Sequence, residues 1–143
     1  MSRPRPARSS SRLRRRNQQG SVSIELLIVL PALFAVLFLG MQAALFHHAR
    51  TVAIAAAQQG AREAGAMQGR ESDGVGAATA FIAEAGGDDV LTHASASANR
   101  TAARATVTVT GFSLSVIPGW KVRITQSATV PVERLTSPTA AGS

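Results

Sequence analysis

One short stretch holds the residues whose types and spacing could do chemistry: the Gly20-Ser21 bond and the carboxylate of Glu25. Cleavage after Gly20 would give Ser21 a free α-amine and make Glu25 the fifth residue of the shortened chain. Such an amine is largely protonated near neutral pH, with an ordinary pKa of about 7.7–8.0. Presented by a neighbouring copy, it would offset the charge of Glu25. Within packed helices a pair of that kind removes two otherwise costly charges. Mutual pairing favours staggered stacking of copies, which is assembly chemistry rather than catalysis. The plainer account of Glu25 is a carboxylate that reaches back to lipid head groups. An acidic residue costs about 2.5–3.5 kcal/mol at the membrane centre and less near the edge. The residues alone leave both accounts standing.

The element that must position Glu25 is the apolar run behind it. From Leu26 to Phe46 the only polar side chain is Gln42. Wound as a helix, those residues are about 31 Å long, close to a hydrocarbon core of roughly 30 Å. Pro31 removes one backbone hydrogen bond and clashes with the preceding turn, so a kink is expected near residues 27–31. That kink is either an ordinary feature of a membrane helix or a packing device.

Charge sets the orientation. The chain has 143 residues and a net charge of +7, and seven arginines fall within residues 3–16. From Ser21 onward, basic and acidic side chains balance, so the whole excess sits in the leader. A basic leader beside an apolar span predicts a cytoplasmic amino terminus and a carboxy-terminal part across the membrane. It also predicts contact with anionic membrane lipids, at about 1 kcal/mol per basic residue near the surface. A nucleic-acid arm is disfavoured, because the leader has no aromatic residue for base stacking. A conventional cleaved secretory signal fits poorly too: the apolar run is long, Glu25 lies at its head, and Gly40-Met41-Gln42-Ala43 is a poor cleavage site.

A basic leader ending in glycine, four residues, glutamate and a long apolar helix resembles the type IV prepilin signal. More narrowly, Glu25-Leu-Leu-Ile-Val-Leu-Pro31 resembles the core motif of the TadE-like family, pseudopilins of the Flp/Tad pilus machinery. The likeness continues through Gly40, the Arg50 region and Gly60-Ala61-Arg62-Glu63-Ala64. Leu27 stands where alanine is commoner in that family. The resemblance implies cleavage between Gly20 and Ser21 by a prepilin peptidase, and pairing of Glu25 with a neighbour's amino terminus. It also implies other pilin or pseudopilin subunits and a Tad-type assembly platform as partners.

Beyond the span, residues 47–68 are rich in strong helix formers. Ala49, Ala53, Ala56, Gly60 and Ala64 recur at spacings of three and four, giving a face of small residues that another element can approach closely. That face is either the internal seat of a domain or a surface between subunits. His47 and His48 are adjacent and diverge around the helix, so they suit a membrane interface better than a shared metal.

The distal part reads as a small α+β domain. A turn over Gln68–Gly74 leads to a short helix, with Ser72 or Asp73 as its N-cap. Its stripe is Val75, Ala78, Ile82 and Ala85, with Phe81 beside it, and Gly86-Gly87 ends it. Period-two patterning follows. Val90, Thr92, Ala94, Ala96 and Ala98 alternate with Leu91, His93, Ser95 and Ser97, and a turn is expected at Asn99-Arg100-Thr101. Ala105, Val107 and Val109 then alternate with threonines, and a last strand puts Val122, Ile124, Ala128, Val130 and Val132 on one face. These make a three- or four-stranded antiparallel sheet resting on the long helix. Phe112–Trp120 is the densest apolar stretch outside the span, with Pro118-Gly119 suited to a type II turn. It either completes the core or forms an exposed patch against membrane or another subunit, with Trp120 at the lipid interface.

The expected organisation is a basic cytoplasmic leader (1–20), a transmembrane helix (21–48), an extracytoplasmic pilin-like α+β domain (49–135) and a flexible tail (136–143). There is no cysteine, which excludes disulfides, thiolate zinc sites and a cysteine nucleophile. No phosphate loop, nucleophile elbow or metal-binding His-x-x-x-His is present. No enzyme activity, cofactor, metal or nucleic acid is expected. The best reading is a non-enzymatic pseudopilin-like subunit of a Flp/Tad-type pilus or secretion apparatus in the cytoplasmic membrane. The alternative is a single-pass anchored binding module unrelated to pili.

Overall fold

A computed structural model describes residues 16–135, with side chains from Ser23 onward. The expectations for the leader up to residue 15 and for the tail from residue 136 lie outside the described residues. The chain divides into two compact units, Met1–Leu39 and Gly40–Ser143. The long helix α1 (Arg16–Gly65) supplies the described part of the first and opens the second.

In the first unit, α1 is built from Leu, Ile, Val, Ala and Phe and is assigned as helix without a break through Pro31. Every side chain from Ser23 to Leu39 is exposed.

The second unit is a layer of two helices on an antiparallel sheet, the α+β arrangement the sequence leads one to expect. After Gly65 the chain turns over Ala66–Arg70 and enters α2 (Glu71–Glu84). The N-cap differs from expectation. It is Arg70, whose backbone N–H donates to Asp73 Oδ2 at 2.8 Å. Asp73 therefore sits at the third helical position and reaches back to the cap, instead of being the cap itself. Gly74, Ala78 and Ile82 are the buried residues of α2, while Val75, Phe81 and Ala85 are half-buried. The helix stops at Ala85, before Gly86 at φ 122°, and a single 3-10 turn covers Gly87–Asp89.

The sheet has three strands in the order β1 (Leu91–Arg100), β2 (Arg104–Ser113) and β3 (Arg123–Pro131). Neighbours pair antiparallel, with Ala98 opposite Val107 and Val107 opposite Ala128. Strict alternation holds along β2, where Ala105, Val107, Val109 and Gly111 face inward. It fails in β1. Pairing with β2 is irregular between Thr92 and Ser95, and His93 takes a left-handed backbone, φ 52°. The irregularity switches the inward parity, so Leu91 is fully buried while Ala96 and Ala98, five and seven residues on, also face the core. The sequence pattern had placed Leu91 opposite to those alanines and Ala94 with them; Ala94 is exposed. Strand β1 also runs through Arg100, so the hairpin turn is shifted to Thr101–Ala103 and closed by Thr101 N–H donating to the Arg104 carbonyl at 2.8 Å.

The core is thin because its side chains are small. Ala49, Ala53, Ala56, Ala57, Ala61 and Ala64 of α1 and Ala78 of α2 are fully buried with Leu91, Ala105, Val107 and Val109 of the sheet. The outer sheet face carries paired hydroxyls, Thr106 with Thr129 at 2.8 Å and Thr108 with Ser127 at 2.7 Å.

Candidate functional site

Gly20 and Ser21 lie in the first turns of α1, with helical backbone. Glu25 follows one turn later, exposed and flanked by Ile24 at 64% and Leu26 at 62% exposure. The structure thus sets a single carboxylate at the head of a fully uncovered apolar helix. Among the described residues, this is the one helix long and apolar enough to cross a membrane.

Continuous exposure ends at Met41: Gln42, the next residue, is buried, Ala43 and Ala44 are exposed again, and Leu45 and Phe46 are half-buried. The Gln42 amide is spent on the segment between β2 and β3. Nε2 donates to the Leu114 carbonyl at 3.2 Å, and Oε1 accepts from the Ser115 hydroxyl and the Val116 N–H, each at 3.1 Å. From Ser23 to Met41 the helix rises about 28 Å, which matches the thickness of a hydrocarbon core, roughly 30 Å. The sequence marks Gln42 as the one polar side chain in the apolar run, but it does not reveal the partner. That partner lies more than seventy residues away in the chain.

The small-residue face lies inside the second unit. Ala49, Ala53, Ala56 and Ala64 have no exposed surface, and Gly60 is buried against Gly74, Ala78 and Val107. His47 and His48 are exposed, and the His47 ring meets Phe46 edge-on with centroids 6.3 Å apart. Among the described residues no group of three or more His, Asp or Glu could hold a metal ion.

The Phe112–Trp120 stretch is divided between the two roles expected for it. Leu114, Val116 and Ile117 are half-buried, whereas Trp120 is 48% exposed at the tip. The tip is a β-turn in which Trp120 N–H donates to the Ile117 carbonyl at 3.2 Å. Gly119 has φ 79°, the positive value that the third position of a type II turn requires. Arg123 lies over the Phe112 ring, 5.3 Å from its centroid.

Arg100 is a structural residue that sequence reasoning missed. Read as part of a turn, it instead ends β1 and sends its guanidinium to the end of α1. Nε donates to the Ala64 carbonyl at 2.7 Å and an η-nitrogen to the Ala66 carbonyl at 3.1 Å. Its backbone N–H donates to Glu71 Oε1 at 2.7 Å, and Glu133 N–H caps the Gly65 carbonyl at 2.9 Å. In the sequence Arg100 stands between Asn99 and Thr101, far from Gly65, and nothing beside it signals this role.

No curated protein and no solved structure matches the chain. The TadE-like protein family model matches residues 20–62, the stretch that runs from Gly20 through Glu25 and takes in Ala49, Ala53, Ala56 and Gly60 of the buried small-residue face.

Proposed function

We propose that this chain is a non-enzymatic pseudopilin-like subunit of a Flp/Tad-type pilus or secretion apparatus. In this reading α1 anchors it in the cytoplasmic membrane with its amino terminus in the cytoplasm. The span lies within residues 21–48, its continuously exposed part running from Ser23 to Met41, and the α+β unit lies on the extracytoplasmic side. A prepilin peptidase cuts between Gly20 and Ser21. The amine so freed pairs with Glu25 of a neighbouring pilin or pseudopilin, and the exposed apolar helix then packs among its neighbours on a Tad-type assembly platform. Pro31 supplies a local bend within that packing.

One observation carries the reading: the residues matched by the TadE-like family begin at the glycine that precedes the only charged side chain of the uncovered apolar helix. An anchor of unrelated purpose has no need of a carboxylate at that position, and burying one alone is costly.

The intact mass of the chain extracted from membranes of cells with an active prepilin peptidase tests it. Loss of residues 1–20 supports the subunit reading. A full-length mass removes the amine on which pairing depends and leaves a tethered module. Cleavage near residue 43 would mean a conventional secretory signal.

A further inference from the structure

We infer that the Ile117–Lys121 turn is a second membrane contact, in which Trp120 seats at the outer lipid interface and Lys121 meets lipid phosphate. The inference rests on the reading of α1 as a membrane span, and goes beyond it by assigning a lipid-facing surface to the folded unit itself.

The position of the turn follows from Gln42. Three hydrogen bonds tie the Gln42 amide to Leu114, Ser115 and Val116. Ser115 carries the restraint forward, since its hydroxyl oxygen accepts from the Ile117 N–H at 3.1 Å and its single hydrogen is shared between Gln42 Oε1 and the Ile117 carbonyl, 2.7 Å away. The turn that bears Trp120 begins at Ile117. It is therefore held beside Gln42, the first buried side chain of the apolar run, which directly follows the continuous exposure that ends at Met41. Ala43 and Ala44 are exposed again and the run ends before His47, about 7.5 Å further along the helix axis, so the segment that leads into the turn is fixed near the outer end of the apolar run, close to where hydrocarbon gives way to head groups.

The chemistry of the turn suits that depth. An indole is favoured at the membrane–water boundary, where its ring is half in hydrocarbon and its N–H is wet. Trp120 has about half its surface uncovered, and Pro118, Gly119 and Lys121 beside it are exposed. Lys121 and the exposed Arg123 supply positive charge for phosphates, and no acidic residue lies between Phe112 and Gln126. A second copy of the chain is a less suitable occupant, because burying these two cations against an identical surface would set like charges together.

Trp120 is the only tryptophan and the chain has no tyrosine, so intrinsic fluorescence reports this one site. The full chain is reconstituted into phosphatidylcholine–phosphatidylglycerol vesicles carrying bromine near either the head-group end or the terminus of the acyl chains. The expected result is co-flotation with vesicles, blue-shifted emission and stronger quenching by the shallow bromines. The Gln42→Ala variant should still float but lose most of that quenching; if quenching is retained, Gln42 does not position the turn. Lys121→Glu should weaken quenching in anionic vesicles. Flotation with emission open to aqueous acrylamide and untouched by bromolipid overturns the inference and leaves the span intact. Flotation with a blue shift but no bromolipid quenching overturns it in favour of a contact between copies. Failure to float overturns both readings together.

Discussion

Gly60 of α1 and Gly74 of α2 meet backbone to backbone. A methyl group built on Gly60 would lie 2.5 Å from the Gly74 carbonyl oxygen, and one built on Gly74 would lie 2.8 Å from the Gly60 carbonyl oxygen. Val107 of the sheet closes the same point, 3.0 Å from the Gly60 position. The two helices and the central strand thus converge where neither helix has a side chain. Gly60→Ala should force the helices apart and destabilise the folded unit by about 1–3 kcal/mol, the usual cost of overpacking. That outweighs the helix-propensity gain of about 1 kcal/mol. Gly76→Ala in α2 meets nothing within 4 Å and should show only the gain. Chemical denaturation of the full chain in mild detergent should therefore give opposite signs for two substitutions of identical chemistry.

Arg100 supplies the second fastening. Its guanidinium bonds to the Ala64 and Ala66 carbonyls at 2.7 and 3.1 Å, neutralising the negative end of α1 as well as satisfying orphan acceptors. Hydrogen bonds that involve a charged group contribute about 1.5–3 kcal/mol. Arg100→Met should lose about that much in the same denaturation measurement. Arg100→Lys should fall between, because an ammonium keeps the charge but lacks the planar fork that spans both carbonyls. Amide exchange in the last turn of α1 should accelerate in the Met variant more than exchange in β2. Equal acceleration everywhere would mean that Arg100 stabilises the unit as a whole and not this helix end.

Much of this fold is legible because the segments obey single periods. The alanines of α1 repeat at helical spacing, and β2 and β3 alternate without interruption, so helix, strand and facing side follow from composition and order. What the sequence conceals depends on contacts between distant segments. Leu91 looks outward under strict alternation, and nothing local announces the irregularity at His93 that turns it inward. Arg70 is a poor N-cap by type, and its role appears only once Asp73 reaches back to it. Gln42 stands out as polar in an apolar run, yet its acceptors and donors lie on a segment that hydropathy alone would assign to the core. The candidate site divides in the same way. Gly20, Ser21 and Glu25 are readable as a motif, whereas Gln42, the first buried side chain of the long helix, is held by a hydrogen-bonded loop that the motif does not contain.

The backbone at His93 gives a third, sharper sign test. Left-handed geometry costs a side-chain-bearing residue about 1–2 kcal/mol, and glycine avoids it at some expense in unfolded-state entropy. His93 is exposed, so its side chain contributes little packing in return. His93→Gly should be neutral or stabilising by up to about 1 kcal/mol. His93→Val should destabilise, because a β-branched residue tolerates φ near 52° poorly. If valine were accommodated without loss, β1 would have regained regular pairing. Leu91 would then leave the core, a change that amide exchange along β1 would detect.

Glu25 is where stability and function separate. It is exposed on α1, so replacing it removes no contact within the folded unit, and Glu25→Ala should leave the denaturation midpoint of the α+β part unchanged. Insertion should be retained or improved, because a carboxylate near the membrane edge opposes insertion and alanine does not. What should fail is association. In the proposed pairing, loss of the carboxylate would leave the neighbour's freed amine without its partner, and leaving one charge of a buried pair uncompensated costs about 3–5 kcal/mol. Glu25→Gln should fail similarly, since it retains hydrogen bonding and shape but not charge. Crosslinking of membrane-embedded chains in cells with an active prepilin peptidase reads the difference. Wild-type chains should yield multimers, and both variants should remain mostly monomeric at equal membrane abundance. Multimers formed equally by all three would place the association energy in the apolar helix alone and remove Glu25 from the assembly mechanism.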